Sequence, residues 1–374
     1  MKKSILIIVL SVGVIMWAWV YKNNSQTTEG EMIKIGAVLP ITGIAAVVGE
    51  NEKNGIQLAV DEINASGGIS GRKIEIIFED DRTEPNQTVG AIQKLISVDK
   101  VDALIGGAWD FLANAAIPVI DREKKIMITP SALPDTLEKT SEYLFVTHSP
   151  VSLNETAIVE YLEKAGGNKV AIFSVNNLWG QAHLAVFKKA ISLSGKTLVN
   201  ETIVPQFDNN DIQRELSLLK PLHPDIFIVA LNFGDSANFL RKKEELGISG
   251  NVLADFHVED GYRQGNIPEE LLSNVSIFVF SDPGKEFDDK YFNVFGKQPG
   301  TYVDTSFDAV YAIKQAIENE RGKTDSASII RGMRKIIDYN GASGRIDFSK
   351  HNYPENKIPI IKIFDGKEFV NIAR

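Results

Sequence analysis

Several apolar runs of the chain are followed by side chains that could bind a small organic molecule. Trp109 and Asp110 lie just after the run VDALIGG, and Trp179 lies in the loop after KVAIFSV. An aspartate can pair with an ammonium group, and aromatic rings are common in the walls of ligand pockets. Aspartate is also a favoured helix N-cap, and Trp179 precedes Gly180 at the start of a predicted helix. Ligand contact and a local structural role both remain open for these residues.

Comparable groups follow three other apolar runs. The run KIMITP leads into a loop whose backbone N–H groups could hold an anion, and its serine could instead cap a helix. The run DIFIVAL is followed by a polar and an aromatic residue, and NVLADF ends in such a pair. Open α/β sheets bind ligands at strand ends of this kind. The candidate residues in these loops are Ser131, Ala132, Leu133, Asn232, Phe233, Asp255 and Phe256.

The sequence lacks the motifs of common catalytic sites. It contains no G-x-S-x-G elbow, no phosphate-binding G-x-x-x-x-G-K-[ST] loop and no G-x-G-x-x-G fingerprint. It has no cysteine, and its five histidines are scattered without metal-ligand spacing. The acidic run at 79–81 could bind a cation, but a solvated strand end is the simpler account. We therefore expect neither enzyme activity nor a metal or cofactor.

Length and charge narrow the class of protein further. A chain of 374 residues is too long for one ordinary core and predicts two domains. The formal net charge of −9 argues against nucleic acid as a partner, because phosphate backbones need clustered lysine and arginine.

The elements that position these loops repeat one pattern. In the stretch 56–63, Ile56, Ala59, Val60 and Ile63 form one apolar helix face, and paired glycines follow where a helix C-cap is expected. The apolar run 74–78 then predicts a buried strand. Because such units recur, we expect about four strands before residue 150 and about five between 150 and 281. The pattern predicts an α/β fold of two doubly wound parallel-sheet lobes.

Within the first 25 residues, an uncharged run from Ser4 to Tyr21 lies between two leading lysines and Lys22. Its length lies between that of a secretory h-region and a transmembrane helix. Trp17, Trp19 and Tyr21 resemble an interfacial aromatic belt, and no good cleavage site ends the run. We expect residues 1–25 to be an uncleaved membrane anchor, with a cleaved signal peptide as the alternative, and residues 26–32 to be a linker. Either form places the rest of the chain outside the cytoplasm.

From about residue 33 onwards, the order and spacing of several stretches resemble one known family. The matching stretches include IGAVLP at 35–40, NGIQLAVDEINASGG at 54–68, ALIGG at 103–107, IMITPSA at 126–132 and GRIDF at 344–348. They resemble the type I periplasmic binding proteins, in the leucine/isoleucine/valine-binding branch.

The resemblance implies two lobes joined by a three-segment hinge, with a ligand held between them. Lobe I would hold residues 33–149 and 282–356, and lobe II residues 150–281 and 357–374. The implied function is that of a monomeric receptor, which captures a small molecule and delivers it to an ABC permease. A ligand-sensing domain of a signalling system is the alternative with the same fold.

The candidate binding loops depart from the family pattern. In its amino-acid binders, hydroxyl groups in two loops help to hold the ligand's carboxylate and ammonium groups, and aromatic residues frame the side-chain pocket. In this chain Trp109 and Asp110 replace the serine-rich turn of the first loop, and Leu133 occupies the position of the family's threonine in the second. Trp179 and Phe233 lie near the aromatic positions. Both an α-amino acid and a larger or more apolar ligand therefore remain open.

Overall fold

The computed structural model describes residues 31–205, 210–280, 283–357 and 359–371. The predicted membrane segment at 1–25 and most of the linker lie outside these ranges. The strands are β1 (Ile33–Leu39), β2 (Ile74–Asp80), β3 (Ala103–Gly106), β4 (Met127–Thr129), β5 (Leu144–Val146), β6 (Lys169–Val175), β7 (Thr197–Val204), β8 (Ile226–Ala230), β9 (Asn251–Asp255), β10 (Val275–Val279), β11 (Tyr339–Gly341), β12 (Gly344–Ile346), β13 (Ile360–Phe364) and β14 (Phe369–Asn371).

Helices cover both sheets. They are α1 (Ala46–Ala65), α2 (Pro85–Ser97), α3 (Asp110–Glu123), α4 (Asp135–Glu138), α5 (Asn154–Lys164), α6 (Leu178–Leu193), α7 (Asn210–Leu219), α8 (Phe233–Glu245), α9 (His257–Arg263), α10 (Gly284–Phe295), α11 (Val303–Asn319) and α12 (Ser326–Met333). None of the helices in the described part of the chain is long and apolar enough to cross a membrane.

The first sheet has five parallel strands in the order β2-β1-β3-β4-β5. Successive residues of β1 serve different cores, because strand side chains alternate between faces. Ala37 packs in a cluster with α1 and α11, whereas Val38 packs with α2 and α3. The sheet is therefore covered on both faces, as the apolar strands predicted. It has one strand more than expected, because β5 was not predicted.

The second sheet has seven strands in the order β14-β13-β10-β9-β8-β6-β7. Strands β6 to β10 are parallel, which matches the five strands expected between residues 150 and 281. β13 and β14 are antiparallel additions at one edge. They are joined by a turn in which the Asp365 carboxylate accepts N–H groups of Lys367 and Glu368, and so short a connection forces antiparallel pairing.

We call the layers around the first and second sheets the first and second lobes. Each lobe presents the carboxyl ends of its parallel strands to loops that lead into helices α3, α6, α8 and α9. In a parallel sheet these ends share one edge, which is where such folds bind ligands. The predicted α/β class with two doubly wound lobes is confirmed.

The start of α6 depends on a close approach between helix and strand. A Cβ atom at Gly180 would overlap the carbonyl oxygen of Val175, at the end of β6. The Asn177 side chain caps the helix by accepting the Gly180 N–H at 2.7 Å. Glycine at this position therefore lets α6 begin directly beside its strand, and this fixes the place of Trp179.

Candidate ligand site

A small cavity lies where the two lobes meet. The first lobe contributes loops after β3 and β4 and the residue before α11, and the second lobe contributes loops after β6, β8 and β9. Its lining residues are Trp109, Asp110, Ala132, Asn177, Trp179, Asn232, His257 and Tyr302. We call it the inter-lobe cavity. It brings together five of the candidate residues, namely Trp109, Asp110, Ala132, Trp179 and Asn232.

The Asp110 side chain accepts hydrogen bonds from both lobes. It is the first residue of α3, and its Oδ1 accepts the N–H of Phe111 at 2.7 Å. Its Oδ2 accepts the N–H of Trp179, in the second lobe, at 2.9 Å. Burial raises the pKa of this carboxyl above its usual range, and the backbone donors Trp179, Phe111 and Leu178 oppose that rise. Asp110 thus occupies the N-terminus of α6, which would otherwise be available to an anion.

Trp109 adopts a backbone conformation that is uncommon for tryptophan. Its φ of 68° lies in the left-handed region, and such a bulky residue stays there only when its surroundings hold it. The turn before it contains Gly107, which also has a positive φ, of 74°. The Trp109 ring lies 5.9 Å from that of Phe111, centroid to centroid. The backbone strain of this loop is therefore located at the cavity wall.

Trp179 forms part of the cavity wall from the second lobe and packs on two histidines. Its ring centroid lies 4.3 Å from that of His183 and 5.6 Å from that of His257. Burial lowers the pKa of His183 to about 4, so this imidazole is neutral at neutral pH. The Trp179 side chain is only 7% exposed, which means that it contributes to the core of the second lobe as well as to the cavity.

Asp255 lies behind the cavity wall. Its Oδ1 accepts the backbone N–H of His257 at 2.9 Å and lies 2.9 Å from Nδ1 of the same residue. The side chain is 1% exposed, and its Oδ2 has no hydrogen-bond partner among the described residues. His257, and not Asp255 itself, lines the cavity. The carboxylate therefore acts on the cavity through its charge and through the ring that it orients.

The predicted loop after β4 places its three candidate residues in three different environments. Ala132 lines the cavity, whereas the Ser131 hydroxyl points to α1 and donates to Glu52 Oε1 at 2.9 Å. Leu133 is fully buried in the apolar cluster with α2 and α3. Burial raises the pKa of Glu52 to about 8, and its Oε2 has no partner among the described residues.

In the loop after β8, Asn232 lines the cavity, and its Nδ2 has no partner among the described residues. Phe233 begins α8, but its side chain lies outside what the structure describes.

Tyr302 is a cavity residue that the sequence did not indicate. It precedes α11 with a φ of 67°, and its ring lies 5.8 Å from that of His148 and 5.7 Å from that of Phe256. Burial raises the pKa of its hydroxyl, which contacts the backbone of Ala132. The helix pattern of 303–319 indicated only packing. The one available signal was a tyrosine just before that helix, close to a glycine-containing turn.

The inter-lobe cavity is nearly closed. Its volume is about 20 Å³, enough for about one water molecule. A second cavity of about 80 Å³ is also lined by Tyr302 and lies next to His148 and Phe280, where the chain passes between the lobes. A small organic molecule could therefore enter the inter-lobe cavity only after the lobes move apart. Among the described residues, no cluster of three acidic or histidine side chains could hold a metal ion.

Comparison with known proteins places this arrangement in a family. The pattern of the family described as periplasmic binding protein matches residues 32–367. A Leu/Ile/Val-binding protein homologue from Brucella melitensis is 24% identical over 341 residues, covering 90% of this chain and 92% of the homologue. A leucine-, isoleucine-, valine-, threonine- and alanine-binding protein from Pseudomonas aeruginosa is 23% identical, covering 83% and 84% of the two chains.

Solved structures share the fold. A branched-chain amino acid transporter substrate-binding protein from Streptococcus pneumoniae, in complex with isoleucine, has a TM-score of 0.81 and 24% identity over 91% of this chain and 100% of its own. A solute-binding protein of an ABC transporter from Rhodopseudomonas palustris, in complex with 3,4-dihydroxybenzoic acid, has a TM-score of 0.83 and 25% identity over 91% and 96%. The chain belongs to the periplasmic binding proteins of type I, in the Leu/Ile/Val-binding-protein branch, a family of solute-binding receptors and not of enzymes.

Proposed function

We propose that this chain captures a small organic molecule in the inter-lobe cavity, outside the cytoplasm, and delivers it to an ABC permease. The observation that carries the proposal is the cavity itself, which is lined by Trp109 of the first lobe and Trp179 of the second. Binding between two lobes allows the ligand to be enclosed by a hinge motion. Residues 1–25, as anchor or signal peptide, would direct the chain to that location.

The family relatives support the class of ligand. Two of the proteins with this fold that were solved with ligands hold isoleucine and 3,4-dihydroxybenzoic acid, respectively. Both are small molecules with an apolar body, which suits a cavity with tryptophan walls. We assign the three-segment hinge to crossovers near 148–151, 280–283 and 356–358, with lobe I at 33–149 and 282–356 and lobe II at 150–281 and 357–374.

A thermal-shift screen of the full chain tests the proposal. Amino acids, amides, short peptides, amines and aromatic acids are the ligands to screen. At roughly one hundred times its dissociation constant, a ligand should add about 2.7 kcal/mol to the free energy of unfolding, which is a shift of several degrees.

The variants Trp109→Ala and Trp179→Ala should lose the ligand-induced shift, each measured against its own ligand-free melting temperature. Phe292→Ala, at a half-exposed aromatic residue of α10, is the control and should keep the shift. If no compound in the screen stabilises the chain, or if the tryptophan variants respond as the parent does, this proposal is wrong.

A further inference from the structure

The site where an anionic ligand would bind is already filled by the protein. The N-terminus of α6 is directed at the inter-lobe cavity, but its Trp179 N–H is bonded to the Asp110 carboxylate. Among the described residues that line this cavity, none is a lysine or arginine. A ligand carboxylate would therefore find no cation and would lie beside an existing negative charge, which is unfavourable at short range in a buried site.

The charged groups around the cavity are acidic. Asp110 is 3% exposed and Asp255 is 1% exposed, and one oxygen of Asp255 has no partner among the described residues. Two nearby histidines do not offset this charge, because burial lowers the pKa of His183 to about 4 and that of His148 to about 3. A third histidine, His257, lies 2.9 Å from Oδ1 of Asp255 through its Nδ1, and Oδ2 of Asp255 is left without a partner among the described residues. A cation in the cavity would thus be attracted by two carboxylates of low solvent exposure.

The walls suit a cation as well. Trp109, Trp179 and Tyr302 line the cavity, and the edge of Phe256 meets the Tyr302 ring. The faces of aromatic rings attract ammonium groups, tryptophan most strongly. Asn232 adds a buried amide whose Nδ2 has no partner among the described residues, and it lines the same cavity. It could donate to an uncharged oxygen of the ligand.

Building on the receptor function proposed above, we propose that the ligand carries an amine or ammonium group and no carboxylate. Its cationic group would lie between the tryptophan rings, within the field of Asp110 and Asp255. The leucine-type zwitterion of the family relatives would bind more weakly, because its carboxylate would face Asp110.

Matched compounds separate charge from shape in this test. For the full chain, binding of 2-phenylethylamine is compared by calorimetry with phenylalanine, 3-phenylpropanoate and the uncharged 2-phenylethanol. A second set compares 3-methylbutylamine with leucine and 4-methylpentanoate. We expect an amine to bind at least tenfold more tightly than the amino acid and the acid of its set, and 2-phenylethylamine to bind more tightly than 2-phenylethanol.

The variant Asp255→Asn should weaken amine binding about tenfold while leaving the binding of 2-phenylethanol unchanged. Asp289→Asn, an exposed aspartate on α10, changes the net charge equally and should have no effect. The inference is overturned if an amino acid or acid binds more tightly than the amine of its set, or if neither amine shows measurable binding. In either case, a carboxylate or neutral ligand found in the thermal-shift screen would still support the receptor function. If Asp255→Asn does not fold, the comparison of amine with alcohol in the unchanged chain still decides.

Discussion

The Oδ2 atom of Asp110, in the first lobe, accepts a hydrogen bond from the backbone N–H of Trp179, in the second lobe, at 2.9 Å. The carboxylate thus caps α6 from across the cavity, in addition to the α3 N-terminus that it begins. Because both partners belong to the protein, this hydrogen bond favours the closed arrangement without a ligand. The relative position of the two lobes without a ligand therefore depends on the Asp110 side chain.

Replacing Asp110 with alanine should therefore separate the lobes and destabilise the chain. We expect a loss of about 1–2 kcal/mol in the free energy of unfolding, the usual range for a strong helix cap. Small-angle X-ray scattering should show a larger radius of gyration for the ligand-free variant.

Asp325→Ala is the matched control for this prediction. Asp325 caps α12 by accepting the Ser328 N–H at 3.0 Å, and α12 packs within the first lobe. The control should lose stability without a change in radius. An unchanged radius in Asp110→Ala would show that this hydrogen bond does not hold the lobes together.

Glu52 should make stability depend on pH. Burial raises its pKa from 4.5 to about 8, so the folded chain retains a proton that the unfolded chain loses above pH 4.5. The stabilisation from this group is complete below pH 4.5, falls as pH rises, and is lost above about pH 8. Its slope is at most about 1.4 kcal/mol per pH unit.

The variant Glu52→Gln should lack this slope, because an amide does not titrate. Urea unfolding at several pH values between 4.5 and 8 should show the variant gaining stability relative to the parent as pH rises. The stability of Glu286→Gln, at an exposed position of α10, should change with pH in parallel with that of the parent. Parallel curves for Glu52→Gln would mean that Glu52 ionises normally in the folded chain.

A methyl group at Gly180 should disturb both fold and site. The added Cβ would overlap the Val175 carbonyl oxygen, so α6 would have to move away from β6 and take Trp179 with it. We expect Gly180→Ala to cost about 1–3 kcal/mol of stability, as overpacking commonly does, and to weaken ligand binding. Chemical denaturation and ligand titration measure the two effects.

The same change at Gly234 provides the comparison, because a Cβ there would meet no atom within 4 Å. Gly234→Ala, in α8, should be neutral or stabilising by about 0.4–1 kcal/mol. If Gly180→Ala behaves like Gly234→Ala, the close contact between α6 and β6 is not required.

Much of the architecture could be predicted, because apolar periodicity and glycine pairs directly indicate where helices and strands begin and end. Ile56, Ala59, Val60 and Ile63 are all buried on one face of α1, as their spacing indicated. Strand β5 was missed, although β4 of the same length was predicted from the run KIMITP. The antiparallel edge formed by β13 and β14 was missed because an edge strand depends on which sheet it joins, and this is decided by tertiary packing.

The cavity was harder to predict than the fold. Loops after strand ends are visible in the sequence, so Trp109, Asp110 and Trp179 could be chosen from their positions. Tyr302 reaches the cavity from the turn before a helix, through a backbone conformation with positive φ. A tyrosine at that position does not predict such a conformation. Glu52 was missed because a glutamate in an amphipathic helix normally faces solvent, whereas here it is fully buried.

The measurement that tests the central claim most directly is tryptophan fluorescence during ligand titration. The chain has four tryptophans, and replacing Trp17 and Trp19 with phenylalanine leaves only Trp109 and Trp179 to emit, both in the cavity wall. A compound that stabilises the chain in the thermal screen should then change the emission saturably, with the dissociation constant found by calorimetry. Stabilising compounds that leave this emission unchanged would contradict binding in the inter-lobe cavity.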